Sequence, residues 1–384
     1  MIARFFGMIG IGALMLVTSF GVYTYLGAHQ SKIAAPPKKP THTGSTGHPF
    51  VLPGTLYLSQ AGALYDLTFG QFTQMTNEAG WMQPSLIPGG GGLLAVKREL
   101  NYSDVYAIDL KGSAALLTNN IKPNNSFDIG DNHWSFNPRL SPDGKTLFMS
   151  YDEPKYAYEV DQSIWSMPYP SQGQSCVTSR SCRLWTNHSN YTGGDVQPLP
   201  LASGALIYTS YDYGTDQKLT ATLVLTPRAG AQGTAITDPD ADCSQAALSP
   251  DGTQLAMICS FKKQESNIFI APFNGSSIGP LKQVTSNQLA AQPIWAPDGS
   301  GIAYLAPAVP DGPFQLWWLG KDAYTPPPPP SPSPIESPSP SPSTGGRHSP
   351  SPSPRPSPSP APVKPIQVTI DLGFDATSPI AWSI

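Results

Sequence analysis

Acids and aromatic residues gather in a few short stretches that each occur once in the chain: Glu78 with Trp81; Asp131 with His133 and Trp134; Tyr191 with Asp195; Asp238 with Asp242; Gln288; and Asp375. Two carboxylates about 5–9 Å apart can cleave a glycosidic bond, one as acid and the other as base or nucleophile. Asp131, Asp195 and Asp375 are therefore candidates for a glycan hydrolase or lyase. The same acids beside indole and phenol rings also suit binding without chemistry, of a peptide, a sugar or a cation. A third reading needs no ligand: Trp81 and Trp134 plug a channel, and the acids cap loop backbone. Asp238, Asp240 and Asp242 alternate like part of a calcium loop. "DPDADC" lacks that loop's glycine and distal glutamate, so no metal is assigned.

Other constellations are missing from the sequence. It contains no H-E-x-x-H and only 6 histidines. "PGGGGLL" (88–94) belongs to a hairpin turn rather than to a phosphate-cradling loop. No catalytic residue and no cofactor is assigned. The net charge of −4, with no block of like charge, offers no footprint for nucleic acid.

The 4 cysteines fall into two local pairs. Cys176 and Cys182 bracket "CVTSRSC", and Cys243 and Cys259 flank a hairpin centred on Asp251. Both spacings suit disulfides in an oxidising compartment. Two buried free thiols are the competing reading for the second pair.

The elements that hold these residues repeat. "LSPDGKTLFMS" (140–150) returns as "LSPDGTQLAMI" (248–258) and "WAPDGSGIAYL" (295–305). Proline presets one turn dihedral, Asp143, Asp251 and Asp298 bond back to nearby N–H groups, and glycine takes the positive φ that closes the turn. These acids are turn formers rather than catalysts. Each hairpin is followed by a third apolar strand and then by a strand ending in threonine: Thr76, Thr118, Thr186, Thr237, Thr285 and Thr369. A polar residue, followed by proline or once by alanine, precedes each first strand: Gln83, Asn137, Gln197, Gln245, Gln292 and Ser378. Four short strands at a period of roughly 45 residues or more form a β-propeller blade, which buries its faces only against neighbouring blades. Alternation such as Leu147/Met149 and Leu255/Met257 would place one apolar set against each neighbour.

The ends fix the closure. "VLPGTLYLSQ" starts at a second strand, and the final "SPIAWSI" is a first strand with nothing after it. The expectation is an all-β, six-bladed propeller of four-stranded antiparallel blades, closed by the C-terminal strand and preceded by an N-terminal transmembrane helix. Residues 1–4 are a short tail. Residues 5–27 are a membrane anchor, since Phe5–Leu26 is uncharged and spans roughly 33 Å as a helix; a cleaved signal is the alternative. Residues 28–49 are a linker, 50–324 the blades, 325–363 a disordered Pro/Ser-rich loop inserted in the last blade, and 364–384 the strands that complete it and close the first.

Laid out this way, the chain resembles the TolB-type, WD-like β-propeller family, on the motifs "NPRLSPDGKTLFMS", "LSPDGTQLAMI" and "QPIWAPDGSGIAYL". The resemblance covers about 50–324 and 364–384. "LIPGGGGLLAV" (86–96) and "LPLASGALIYT" (199–209) depart from it by lacking the aspartate. It implies a six-bladed propeller and, for many relatives, an exported protein that binds another macromolecule; it carries over no catalytic residue. The expected function is thus a membrane-anchored, extracytoplasmic, monomeric propeller that binds an envelope protein or a cell-surface glycan. Its channel rim would use Trp81, Asp131, His133, Trp134, Tyr191, Asp195, Asp242 and Asp375. A glycan hydrolase or lyase using the rim carboxylates is the alternative.

Overall fold

A computed structural model describes residues 50–121, 130–155, 161–188, 191–214, 216–261, 265–286, 289–325 and 364–384. The predicted anchor 5–27, the linker 28–49, Gln288 and nearly all of the Pro/Ser-rich segment lie outside the described residues.

The strands form six four-stranded sheets, and every pairing within them is antiparallel. The first, innermost strands of blades 2 to 6 are Trp81–Leu86, Ser135–Leu140, Asp195–Pro200, Cys243–Leu248 and Ala291–Trp295. In blade 1 that place is taken by the C-terminal strand Ala381–Ser383, which pairs with Thr55–Gln60 through Leu56↔Trp382. The two ends of the domain are thus laced into one sheet, which removes the open edge that a linear array would leave. Ile366–Gln367 is the fourth strand of blade 6 and pairs with Phe314–Gly320.

The core lies between blades. Leu147 and Met149 pack toward blade 2 with Leu94 and Val105, while Phe148, between them, packs toward blade 4 with Leu206 and Tyr208. Leu255 and Met257 meet Ile207 and Leu223 of blade 4, and Ala256 and Ile258 meet Ile302 and Tyr304 of blade 6. This is period-2 alternation with both faces buried.

Both disulfides are formed. Cys243 and Cys259 are direct cross-strand partners with Cα atoms 4.1 Å apart, and Cys176–Cys182 closes its short loop. In the hairpin turns, Asp143, Asp251 and Asp298 accept N–H bonds from the residue two positions on, and Gly144, Gly252 and Gly299 sit at φ of 71°, 72° and 70°. The two units without aspartate keep the turn. Gly90 N–H donates to Ile87 O and Gly204 N–H to Leu201 O, so the closing backbone bond and the glycine suffice.

The terminal threonine has one role in all six blades. Each Oγ1 accepts a third-strand N–H that the short fourth strand leaves open: Leu64, Val105, Ile164, Leu223, Ile268 and Leu316, at 2.9–3.0 Å. All six threonines are buried. In three blades the hydroxyl donates in turn to a third-strand side chain, Asp104, Asn267 or Gln315. Both hydrogen-bonding needs of a buried hydroxyl are thereby met.

Candidate functional site

The polar residue before each first-strand proline builds the wall of the channel. Gln83, Asn137, Gln197, Gln245 and Gln292 all have φ between 51° and 57°, and the pairing of each inner strand to the next slips there. Left-handed non-glycine residues are uncommon, and five at equivalent positions mark a bulge common to these blades. The bulge aims each side chain at the next blade. Gln83 N–H donates to Ser378 Oγ (2.7 Å), Asn137 N–H to Gln83 Oε1 (2.7 Å), Gln245 N–H to Gln197 Oε1 (3.1 Å) and Gln292 N–H to Gln245 Oε1 (2.6 Å). Asparagine is one methylene shorter, and at Asn137 the gap is bridged by Ser150: its Oγ donates to Asn137 Oδ1 and accepts from Gln197 N–H. Gln292 Nε2 donates to Ala376 O and closes the belt beside Ser378.

On one side of this belt lies a cavity of about 250 Å³, lined by Asn137, Gln197, Gln245 and Gln292, by Arg139, and by apolar groups that include Leu199, Ile294, Trp295 and Trp382. It reaches the hairpin prolines Pro250 and Pro297, and Pro250 is exposed at its mouth. The cavity therefore faces the SPDG turns (the turn face). The predicted rim lies at the other end, where fourth strands connect to the next blade's first strand (the loop face).

On the loop face, Asp131 and His133 line a cavity of about 660 Å³ together with Asn119, Glu153 and Lys155. His133 Nδ1 lies 2.9 Å from Asp152 Oδ1, and its ring stacks on Tyr151. Asp152 is buried, and its other oxygen is 3.1 Å from Lys155 Nζ. Trp134 packs beside Phe136, with the Arg98 guanidinium 5.7 Å from its ring centre. Trp81 is buried among Leu64, Ala95 and Ile108, edge-on to Tyr106. Glu78 pairs with Lys97 at the surface.

Between blades 3 and 4 the arrangement resembles a catalytic triad and behaves differently. Thr192 Oγ1 is 2.8 Å from His188 Nε2, and His188 Nδ1 is 3.5 Å from Asp195 Oδ1. The threonine proton is committed to Tyr211 O at 2.6 Å, so Oγ1 faces the imidazole as an acceptor and Nε2 must donate. Nδ1 faces buried Asp195 at ion-pair distance, which favours the charged imidazolium. The neighbouring Asp195, then the charges of Asp161 and Asp212, hold the His188 pKa above its ordinary value against the pull of burial. A hydroxyl held in this way is no nucleophile.

The remaining acids bind backbone. Asp161 accepts the consecutive N–H groups of Tyr191, Thr192 and Gly193 at 2.7–2.9 Å, fixing the loop that carries exposed Tyr191. Asp242 accepts Ala221 N–H (2.7 Å), Asp238 accepts Asp240 N–H (2.9 Å), and Asp375 accepts both the N–H and the hydroxyl of Thr377. Asp131 and Asp195 line different cavities. Among the described residues no cluster of three or more His, Cys, Asp or Glu side chains could hold a metal ion.

The structure thus brings together Asp131 with His133, and Tyr191 with Asp195 through Asp161 and His188. Trp81, Asp242 and Asp375 stand apart from both groups. Sequence reasoning missed Asp152, Lys155, Asp161 and His188. The only available signal was their position in the turns that connect second to third strands, or fourth to first, on this face.

No protein-family profile matches the chain, and no curated protein matches it. Solved structures do. TolB from Acinetobacter baumannii aligns with a TM-score of 0.54 at 18% identity, covering 72% of this chain and 63% of that one. A protein assigned as TolB from Agrobacterium tumefaciens aligns at 0.48 and 17%, covering 70% and 85%. A puromycin-hydrolyzing peptidase of Mycobacterium tuberculosis aligns at 0.45 and 14%, covering 68% and 42%. This chain spans less than two thirds of the length of the Acinetobacter protein. With its six closed blades, the chain has the fold of the TolB propellers.

Proposed function

We propose that this chain is a non-catalytic binding or scaffold module whose loop face docks an envelope protein or a cell-surface glycan. One observation carries the reading. The ionisable groups of that face are bonded to backbone or to one another, as in His133–Asp152–Lys155 and Thr192–His188–Asp195, which suits a preformed docking surface better than a pair of carboxylates poised for acid–base chemistry. Exposed Val177, in the wall of the cavity of Asp131 and His133, and exposed Tyr191, on the loop held by Asp161, provide apolar area within a polar surround. Two disulfides favour an oxidising, extracytoplasmic setting, and residues 5–27 would tether the propeller to a membrane or direct its export. The test compares partner capture by wild type with capture by a Tyr191→Ala/Val177→Ser variant in the native envelope. A partner kept by wild type and lost by a folded variant supports the reading. Equal capture overturns it, as does hydrolysis of envelope glycans by purified wild type.

A further inference from the structure

Arg139 has no role in the belt or on the loop face. It is the one charged residue lining the central cavity, and no carboxylate lines that cavity with it. Among the described residues, no hydrogen bond or ion pair engages its guanidinium. Burial pulls its pKa down with no neighbouring anion to oppose it. Arg139 is only partly buried, so its charge is met by water in the cavity rather than by a protein anion and stays open to a ligand that supplies the opposite charge.

The amides around it are biased the same way. The Oδ1 of Asn137 and the Oε1 atoms of Gln197 and Gln245 are occupied in accepting belt hydrogen bonds. Their NH₂ groups remain as donors, whereas Gln292, whose Nε2 is committed to Ala376 O, offers its Oε1 as an acceptor. The indole N–H groups of Trp295 and Trp382 are spent on Ala247 O and Pro53 O, so these rings offer apolar wall rather than polarity. The cavity therefore presents one positive charge, three amide donors against one amide acceptor, and apolar sides, in a space of about 250 Å³ open at Pro250. A singly charged acceptor on a small organic body matches it; a multiply charged phosphate would find only one cation.

We propose that the channel is a binding site for an organic carboxylate entering from the turn face, with Arg139 as counter-ion and the belt amides as further donors. The site is at the opposite end from the proposed docking face and holds whether or not a partner binds there. A free small acid and the C-terminus of a peptide share this chemistry.

The test measures binding to the full chain by calorimetry and by thermal shift at constant ionic strength, using N-acetylglycine, N-acetylglycinamide and N-acetyl-trialanine with a free carboxylate. Bound carboxylate raises Tm by mass action. The expected result is that N-acetylglycine binds wild type and its amide does not. Arg139→Gln weakens binding roughly 10- to 100-fold, the range of a charge-assisted hydrogen bond, and Arg139→Lys recovers part of it. Tighter binding of N-acetyl-trialanine identifies a peptide terminus as the source, and equal binding a free acid. The proposal is overturned if acid and amide bind wild type equally, if neither binds, or if Arg139→Gln binds the acid as wild type does. If Arg139→Gln does not fold, the acid–amide comparison on wild type and the Arg139→Lys variant decide.

Discussion

The side-chain oxygen of Gln83 accepts the backbone N–H of Asn137 at 2.7 Å, and through this contact blade 2 is tied to blade 3 inside the channel. The same tie recurs from Gln197 to Gln245 and from Gln245 to Gln292. Adjacent blades otherwise meet mainly through apolar side chains, which resist separation but tolerate sliding. The belt fixes the height of each blade against its neighbour.

Gln245→Gly keeps the left-handed backbone and removes only the belt acceptor, leaving Gln292 N–H unpaired. It should lower stability by about 1–3 kcal/mol. A surface control such as Gln217→Gly, also at positive φ and exposed, should change stability little or raise it slightly. Denaturant titration of both variants decides. Equal effects would mean that the belt bond contributes nothing.

Thr285→Val is nearly isosteric and removes the acceptor for Ile268 N–H, whereas Thr285→Ser retains it. The valine variant should lose about 1–3 kcal/mol and the serine variant less, by thermal or chemical denaturation. Faster amide exchange at Ile268 in the valine variant alone would locate the loss.

Asp104 makes stability depend on pH. Burial raises its carboxyl to about 6, against hydrogen bonds from Thr118 and Asn120 that pull it down. A raised carboxyl binds its proton more tightly folded than unfolded. Its contribution is therefore complete below the unfolded value of 3.8 and lost as pH rises through about 6. Asp104→Asn keeps an acceptor for both donors. It should be more stable than wild type at pH 7, on the order of 2–3 kcal/mol, with the advantage vanishing near pH 4. Parallel stability–pH curves for the two proteins would contradict this.

His188 acts in a higher window. Its pKa is raised above 6.5, so the stability it contributes is fully present below 6.5 and is lost as pH rises through its folded value. His188→Gln should flatten the stability curve there. Histidine NMR should show its ring titrating above 6.5, and titration at or below that value would dismiss the imidazolium clamp.

Much of the frame was legible because each blade repeats the same physical need. Six threonines and six polar residues ahead of the first-strand prolines or alanine marked registers, five of the polar residues falling within the first strands themselves, and the orphan strand "SPIAWSI" marked the closure. Why those residues recur was not legible. Glutamine rarely takes positive φ, so nothing in the dipeptide Gln-Pro announces a bulge or a belt. The candidate site was legible only as a face. Trp81 opens an inner strand, and whether such a residue turns to the channel or into the blade interface depends on strand twist, which alternation does not encode. Arg139 reads as an ordinary strand residue until the inner strands bring Asn137, Gln197, Gln245 and Gln292 around the same cavity. Asp161 and His188 act across a blade boundary, on loops separated by many residues, and no local pattern connects them.

The central claim is that repeated residues build the frame while unrepeated loop-face residues meet the partner. Site-specific photocrosslinking in the native envelope tests it most directly, with the reactive side chain placed at Tyr191 on the loop face or at the still more exposed Phe69 in a turn-face hairpin. The account predicts one discrete crosslinked partner from position 191 and none from position 69. The same partner from both positions, or from position 69 alone, would contradict it.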